Sequence, residues 1–210
     1  MIHNQGPNFD SAAVFTSNKV VAAPVIWSRQ VAQGGIVRAV VLNSGGANAC
    51  TGPQGFADTH KTAEHVGALL NVSAGEVIVC STGLIGEFLP MDKILKGLDM
   101  ISPSLTNDGL ETSARAIMTT DSVPKIATAS HNGVEFAGIA KGAGMLAPAL
   151  ATMLSVVMTD AIVSNTPKKY LHVQLIVLSI ALIQMGAHQL MTQSYLCHQV
   201  QVASQLRILN

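Results

Sequence analysis

From Thr166 to Asn210 the chain holds no aspartate or glutamate, and its cations there are Lys168, Lys169 and Arg207 alone. Up to Asn165, acids, glycines, prolines and turn residues recur in the mixture usual for a folded protein. This break constrains the fold more than any single motif does. Beyond it glutamine recurs at 174, 184, 189, 193, 199, 201 and 205, and the apolar residues keep no steady strand or helix period. Residues 171–185 could be wound into a helix, but an amphipathic helix normally carries charge on its outer face and this stretch has none. The tail, 166–210, is therefore expected not to fit the fold.

Charged residues make up 11% of the 210 residues, against about a quarter in ordinary soluble proteins. A surface so short of solvating charge points either to oligomerisation or to a missing half. The formal net charge is zero, so there is no basic field to attract nucleic acid or an anionic membrane. Three cysteines, Cys50, Cys80 and Cys197, form an odd and sparse set that fits a reducing compartment better than a disulfide framework. The most apolar stretch, 175–183, is about half of the roughly 20 residues that cross a bilayer. The first residues lack the basic-then-apolar order of a signal peptide. A cytoplasmic protein is expected, with neither nucleic acid nor membrane among its partners.

Before the break, apolar runs alternate with helical spacing. Residues 37–43 read as a buried strand running into Ser44-Gly45-Gly46, and 57–70 as a helix with Ala63, Val66, Leu69 and Leu70 on one side. Residues 76–80 read as a second strand leading to Ser81-Thr82-Gly83. Helices are expected over 91–100 and 108–118, and strands over 134–140 and 153–159. Such alternation predicts a layered α/β domain.

Three loops have the composition to do chemistry. Residues 43–52 suggest a phosphate cradle, because glycines after a strand let backbone N–H groups converge on an anion. No Gly-Lys-Ser/Thr closes the loop and the Gly-x-Gly-x-x-Gly spacing is absent, so a tight packing loop is the expectation, with Cys50 buried and inert. In the second loop the Thr82 hydroxyl and the Gly83 N–H can be aimed at one point, as an oxyanion hole requires, although Ser-Thr-Gly is also common turn chemistry. The third, 141–154, joins Lys141 and a glycine pair to Thr152 at the start of an apolar run. A threonine hydroxyl needs a base. If the chain is cut between Ala151 and Thr152, the freed α-amine, with an ordinary pKa of about 8, serves as the base for its own hydroxyl. The bland reading of Ala-Thr is the start of a strand. His60 and His65, five residues apart, face different sides of a helix, so both are expected in solvent and no metal site is expected.

Together, residues 12–19, 22–28, 41–52, 80–87, 116–121, 141–154 and 159–161 resemble the ornithine acetyltransferases, the bifunctional glutamate N-acetyltransferases of arginine synthesis. Their order along most of the chain makes the resemblance specific. It implies a layered α/β sandwich and a precursor that cuts itself before a threonine into α and β chains. By this resemblance Thr152 is the nucleophile and Ala151–Thr152 the cleavage point, with Thr82 and Gly83 as the oxyanion-hole pair. Thr119 and Lys141 contact substrate, Lys141 at a carboxylate, with Thr120 as the neighbouring alternative to Thr119. The implied reaction moves acetyl from N-acetylornithine to glutamate, without a cofactor, acetyl-CoA being a possible further donor. The implied assembly is a heterotetramer of α and β chains.

The departures concern both ends. Members of that family begin with further residues that supply a strand, whose loss would leave a sheet edge unpaired. Here residues 1–151 correspond to the α chain and 152–165 to the start of the β chain, and 166–210 are unrelated. Synonymous codons for residues 182–192 exist that read, one frame back, as Asp-Ser-Asp-Gly-Cys-Thr-Ser-Thr-Asn-Asp, a string similar to the family's β-chain opening. A frameshift, natural or from a sequencing error, is the expected origin of the tail. Three functional readings follow: the acetyltransferase, an inactive fragment of it, and an unrelated phosphate-binding module built on the 43–52 loop.

Overall fold

The computed structural model describes residues 1–143, 152–162, 199–204 and 206–209. In chain order the strands are β1 (Ile2–Asn4), β2 (Ala13–Val14), β3 (Ala39–Gly46), β4 (Val77–Leu84), β5 (Leu105–Thr106), β6 (Lys125–His131), β7 (Val134–Lys141), β8 (Leu154–Thr159), β9 (Gln199–Ser204) and β10 (Leu206–Leu209). The helices are α1 (Ala23–Gln33), α2 (Gly52–Leu70), α3 (Met91–Ile101) and α4 (Leu110–Ala116). Among the described residues the strands form two sheets, ordered β4-β3-β1-β10-β5 and β2-β9-β8-β7-β6. The expected α/β layering is what forms.

The parallel pair β3–β4 is the spine of the first sheet. Both strands are nearly continuous apolar runs because both of their faces are covered. Ala39, Val41, Val77 and Val79 meet Ala63 and Val66 of α2 and Leu98 of α3. The alternate residues Val40, Ile78 and Cys80 face the second sheet's Ile139, Leu154, Val156 and Met158, with Ala114 and Ile117 closing that core. β4 is an edge strand, and edges need cover. Helix α1 supplies it: Ser28 Oγ donates to the Val79 carbonyl at 2.8 Å and accepts from the Val79 N–H at 3.1 Å, while Trp27 Nε1 donates to the Val77 carbonyl at 3.0 Å.

Several expectations are corrected. Helix α2 starts at Gly52 rather than at 57, because Pro53 sits in its first turn, where the missing N–H costs nothing. Helix α1 and strand β6 were not anticipated from local pattern. Strand β1, also not anticipated, pairs antiparallel with β3. The tail was expected to stay outside the fold, yet the backbone of β9 runs parallel to β8 and antiparallel to β2, and β10 lies between β1 and β5. The ladder is made by backbone groups, so a chargeless segment with the alternation Gln199-Val200-Gln201-Val202 can join it. The helix considered over 171–185 lies outside the described residues.

Candidate active site

The inward-facing rows of the two sheets change from apolar to polar at one end. On β4 alternation puts Ile78, Cys80 and Thr82 on one face, and on β7 it does the same for Ile139 and Lys141. Where the core residues stop, Lys141 Nζ donates to Thr82 Oγ1 at 2.9 Å and to Thr119 Oγ1 at 2.7 Å. Thr82 is 1% exposed and Lys141 4%, whereas Thr119 is exposed. The cluster is thus seated in the core and opens to solvent on one side. Three residues far apart in sequence and singled out from it meet here, and of the adjacent threonines it is Thr119 that accepts from Lys141.

Gly83 adjoins this cluster for a steric reason. Its φ is +128°, and a Cβ there would stand 2.3 Å from the Gly45 carbonyl carbon and 2.7 Å from the Gly46 nitrogen. Only glycine allows the ends of β3 and β4 to come so close. The loops that follow are laced together, with the Ala47 N–H on the Leu84 carbonyl at 2.8 Å and the Gly86 N–H on the Ala49 carbonyl at 2.9 Å. The 43–52 loop directs its polar groups inward. Asn48 Nδ2 donates to the Gly55 carbonyl and to Thr59 Oγ1, and Thr51 Oγ1 donates to Asn48 Oδ1. That is the packing loop expected from the sequence.

Beneath the cluster lies a buried ion pair that sequence reasoning did not single out. Asp121 Oδ1 accepts from Lys125 Nζ at 2.5 Å and from the Gly142 N–H at 2.7 Å, and Oδ2 accepts from the Thr119 N–H at 3.3 Å. Burial pushes the Asp121 carboxyl up, but the bonds from Lys125, Gly142 and Thr119 and the Lys125 charge outweigh it, and the net shift is downward. Burial pushes the Lys141 amine down; the Asp121 charge offsets part of this, the Lys125 charge adds to it, and the net shift is downward. A signal was present in the sequence, an acid and a lysine four apart just after Thr119-Thr120, but in an irregular segment that spacing specifies no contact.

Thr152 is half-buried and stands just ahead of β8, two residues before Leu154, whose cross-strand partner is Lys141. It therefore lies at the Lys141 end of the sheet. Ala151 lies outside the described residues. Cys50 is exposed, not buried as expected; its positive φ of 59° places it in a turn at the surface. Cys80 is buried, and burial pushes its thiol up to about 12, so it holds its proton at neutral pH. His60 packs edge-on against Trp27, with ring centres 4.9 Å apart, and His65 Nε2 is 2.7 Å from Asp99 Oδ1. His172, His188 and His198 lie outside the described residues.

The chain matches known proteins along most of its length. The ArgJ family model matches residues 1–187. The arginine biosynthesis bifunctional protein ArgJ of Streptomyces avermitilis is 59% identical over 161 residues, which is 77% of this chain and 42% of that protein. Its counterpart in Thermobifida fusca is 58% identical over 164 residues, 78% of this chain and 43% of that protein. The chain thus spans about two fifths of the length of these relatives. Among solved structures, ornithine acetyltransferase from Mycobacterium tuberculosis in complex with ornithine has a TM-score of 0.61 at 46% identity, covering 72% of this chain and 82% of that one. The arginine biosynthesis bifunctional protein argJ of Bacillus halodurans has a TM-score of 0.59 at 35% identity, covering 73% and 78%. The chain belongs to the ArgJ family.

Proposed function

We propose that this chain carries the acyl-transfer site of an acetyltransferase that moves acetyl from N-acetylornithine to glutamate. The observation that carries the reading is the Lys141 ammonium bonded to both Thr82 and Thr119 at the end of the inter-sheet core. The family match and the solved relative that holds ornithine support the substrate class.

In this reading the Ala151–Thr152 bond is cut by the chain itself, and Thr152 gains a free amine. That amine takes the Thr152 hydroxyl proton as Oγ1 attacks the acetyl carbonyl carbon. The Thr82 hydroxyl and the Gly83 N–H receive the developing oxyanion. The proton passes to the leaving amine, ornithine departs, and acetyl-Thr152 remains. The glutamate amine attacks the acetyl-Thr152 carbonyl next, the bond to Oγ1 breaks, the amine proton returns through the Thr152 amine to Oγ1, and N-acetylglutamate leaves. Lys141 and Thr119 hold the substrate. Acetyl-CoA can serve as a second donor by the same route. A cytoplasmic heterotetramer of α and β chains, with the division at 151/152, completes the proposal.

Mass spectrometry of the purified chain, followed by an assay of acetyl transfer from N-acetylornithine to glutamate, tests it. The expected result is a fragment beginning at Thr152 together with transfer, both abolished in Thr152→Ala. An uncut chain that moves no acetyl overturns the reading for this chain and favours the inactive-fragment alternative.

A further inference from the structure

The acyl-transfer reading leaves the buried Asp121–Lys125 pair without a task. One carboxylate ties three separate segments together: the loop after α4 through the Thr119 N–H, the start of β6 through Lys125, and the end of β7 through the Gly142 N–H. Two of these contacts fall on or beside residues that meet at the site. Thr119 itself bonds Lys141, and Gly142 is the next residue after Lys141. A lysine side chain is a flexible stem with a point charge at its tip. To hold that tip still, both the receiving groups and the backbone at its base must be fixed, and Asp121 fixes one of each. Buried ion pairs add little net stability compared with apolar packing, so the consequence of this one lies in geometry and charge.

An ammonium has donors only. Thr82 Oγ1 is therefore the acceptor in its bond with Lys141, and its own proton is left to point elsewhere. We infer that Asp121 is a positioning residue: anchored by Lys125, it holds Lys141 against the Thr82 oxygen so that the Thr82 hydroxyl faces outward as a donor. This inference rests on the reading of Thr82 as part of the oxyanion hole. Among the described residues, the charged groups that act on Lys141 are Asp121, which favours the ammonium, and Lys125, which opposes it.

The two partners must then act on Lys141 with opposite signs. In the intact chain, the Lys141 amine is titrated by NMR through its ε-carbon in the parent protein, Asp121→Asn and Lys125→Met. The resonance is identified by its loss in Lys141→Arg. Asp121→Asn is expected to lower the Lys141 pKa further and to speed hydrogen exchange at the Thr119 and Gly142 amides. Lys125→Met is expected to raise the Lys141 pKa. Charges that merely lie near Lys141 would give opposite shifts too but leave the Thr119 and Gly142 amides unchanged, so unchanged exchange at both amides, or like-signed shifts, overturns the inference. If Asp121→Asn does not fold, Lys125→Met decides alone: an upward shift with faster exchange at the Thr119 and Gly142 amides supports the inference, and unchanged exchange, no shift or a downward one overturns it. The titrations need no substrate. Opposite shifts in a chain that moves no acetyl sink the acyl-transfer reading and leave the positioning intact. Like-signed shifts in an active chain do the reverse.

Discussion

The neighbouring parallel strands β3 and β4 each run into a glycine-bearing loop, and each loop belongs to a buried polar cluster, but the two clusters differ in kind. After β3, Asn48 is fully buried and Thr59 and Thr51 nearly so. Amide and hydroxyls satisfy one another and the Gly55 carbonyl, all without charge. After β4, Thr82 joins Lys141, Lys125 and Asp121, two cations to one anion among the described residues, and the cluster opens at the exposed Thr119. A neutral, closed network rigidifies a loop. A network with more buried cations than anions is costly by itself, and an anionic group arriving from outside would offset that cost. The contrast sets a closed, neutral scaffold against an open, charged corner, the one the proposed function assigns to substrate.

The sharpest way to break that contrast is Lys141→Met. Acetyl transfer in the processed enzyme is expected to fall about 10²–10³-fold, because a substrate contact is lost and the Thr82 hydroxyl, the oxyanion donor, loses the ammonium that orients it, while the melting temperature holds or rises because a desolvated charge is gone. A large drop in melting temperature with activity kept would make this corner scaffold too. Next in size is Gly83→Ala. The backbone of Gly45 and Gly46 cannot yield to a new Cβ, and chemical denaturation should show a loss of about 2–5 kcal/mol. A near-neutral result would mean that the two strand ends can separate.

Asn48→Ala should cost about 1–3 kcal/mol in the same assay, because the Thr51 hydroxyl and the Gly55 carbonyl lose a buried partner. The Lys141 titration should not change; if it moves, the two clusters are coupled. The smallest effect is in acid. Asp121 lies below its ordinary value of 3.8 in the folded protein, so its contribution is full above 3.8 and is lost as pH falls through the lower folded value. The stability gap between the parent and Asp121→Asn should therefore be widest near neutrality and close in strong acid. A gap that persists with the carboxylate protonated would show that the shape of the side chain matters and its charge does not. The neutral cluster has no such pH dependence.

How much of this was legible beforehand differs by element. Strands β3, β4, β7 and β8 and helices α2 and α3 announce themselves in apolar runs and helical spacing, because their burial is regular. Helix α1 hides its role, since Ser28 and Trp27 serve an edge strand 50 residues on, and no local period encodes that. Thr82, Thr119, Lys141 and Thr152 are singled out by resemblance joined to chemistry; composition alone leaves each with a bland reading. Asp121 and Lys125 escaped because single charges in an irregular segment look solvated until three segments are seen to converge. Cys50 was misjudged because burial of a cysteine in a tight loop depends on which way the turn faces.

By itself, the sequence determined the alternation of strands and helices, the glycine at 83 and the placing of a threonine at the head of an apolar strand. These follow from local sterics and from the two-residue and 3.6-residue periods of side chains. Only the tertiary structure decided that Lys141 bonds Thr82 and Thr119, that Asp121 is buried against Lys125, and that β9 and β10 take places in the sheets. Each of these depends on where two distant segments meet, and a backbone ladder or a buried charge is specified by its partner as much as by its own residues.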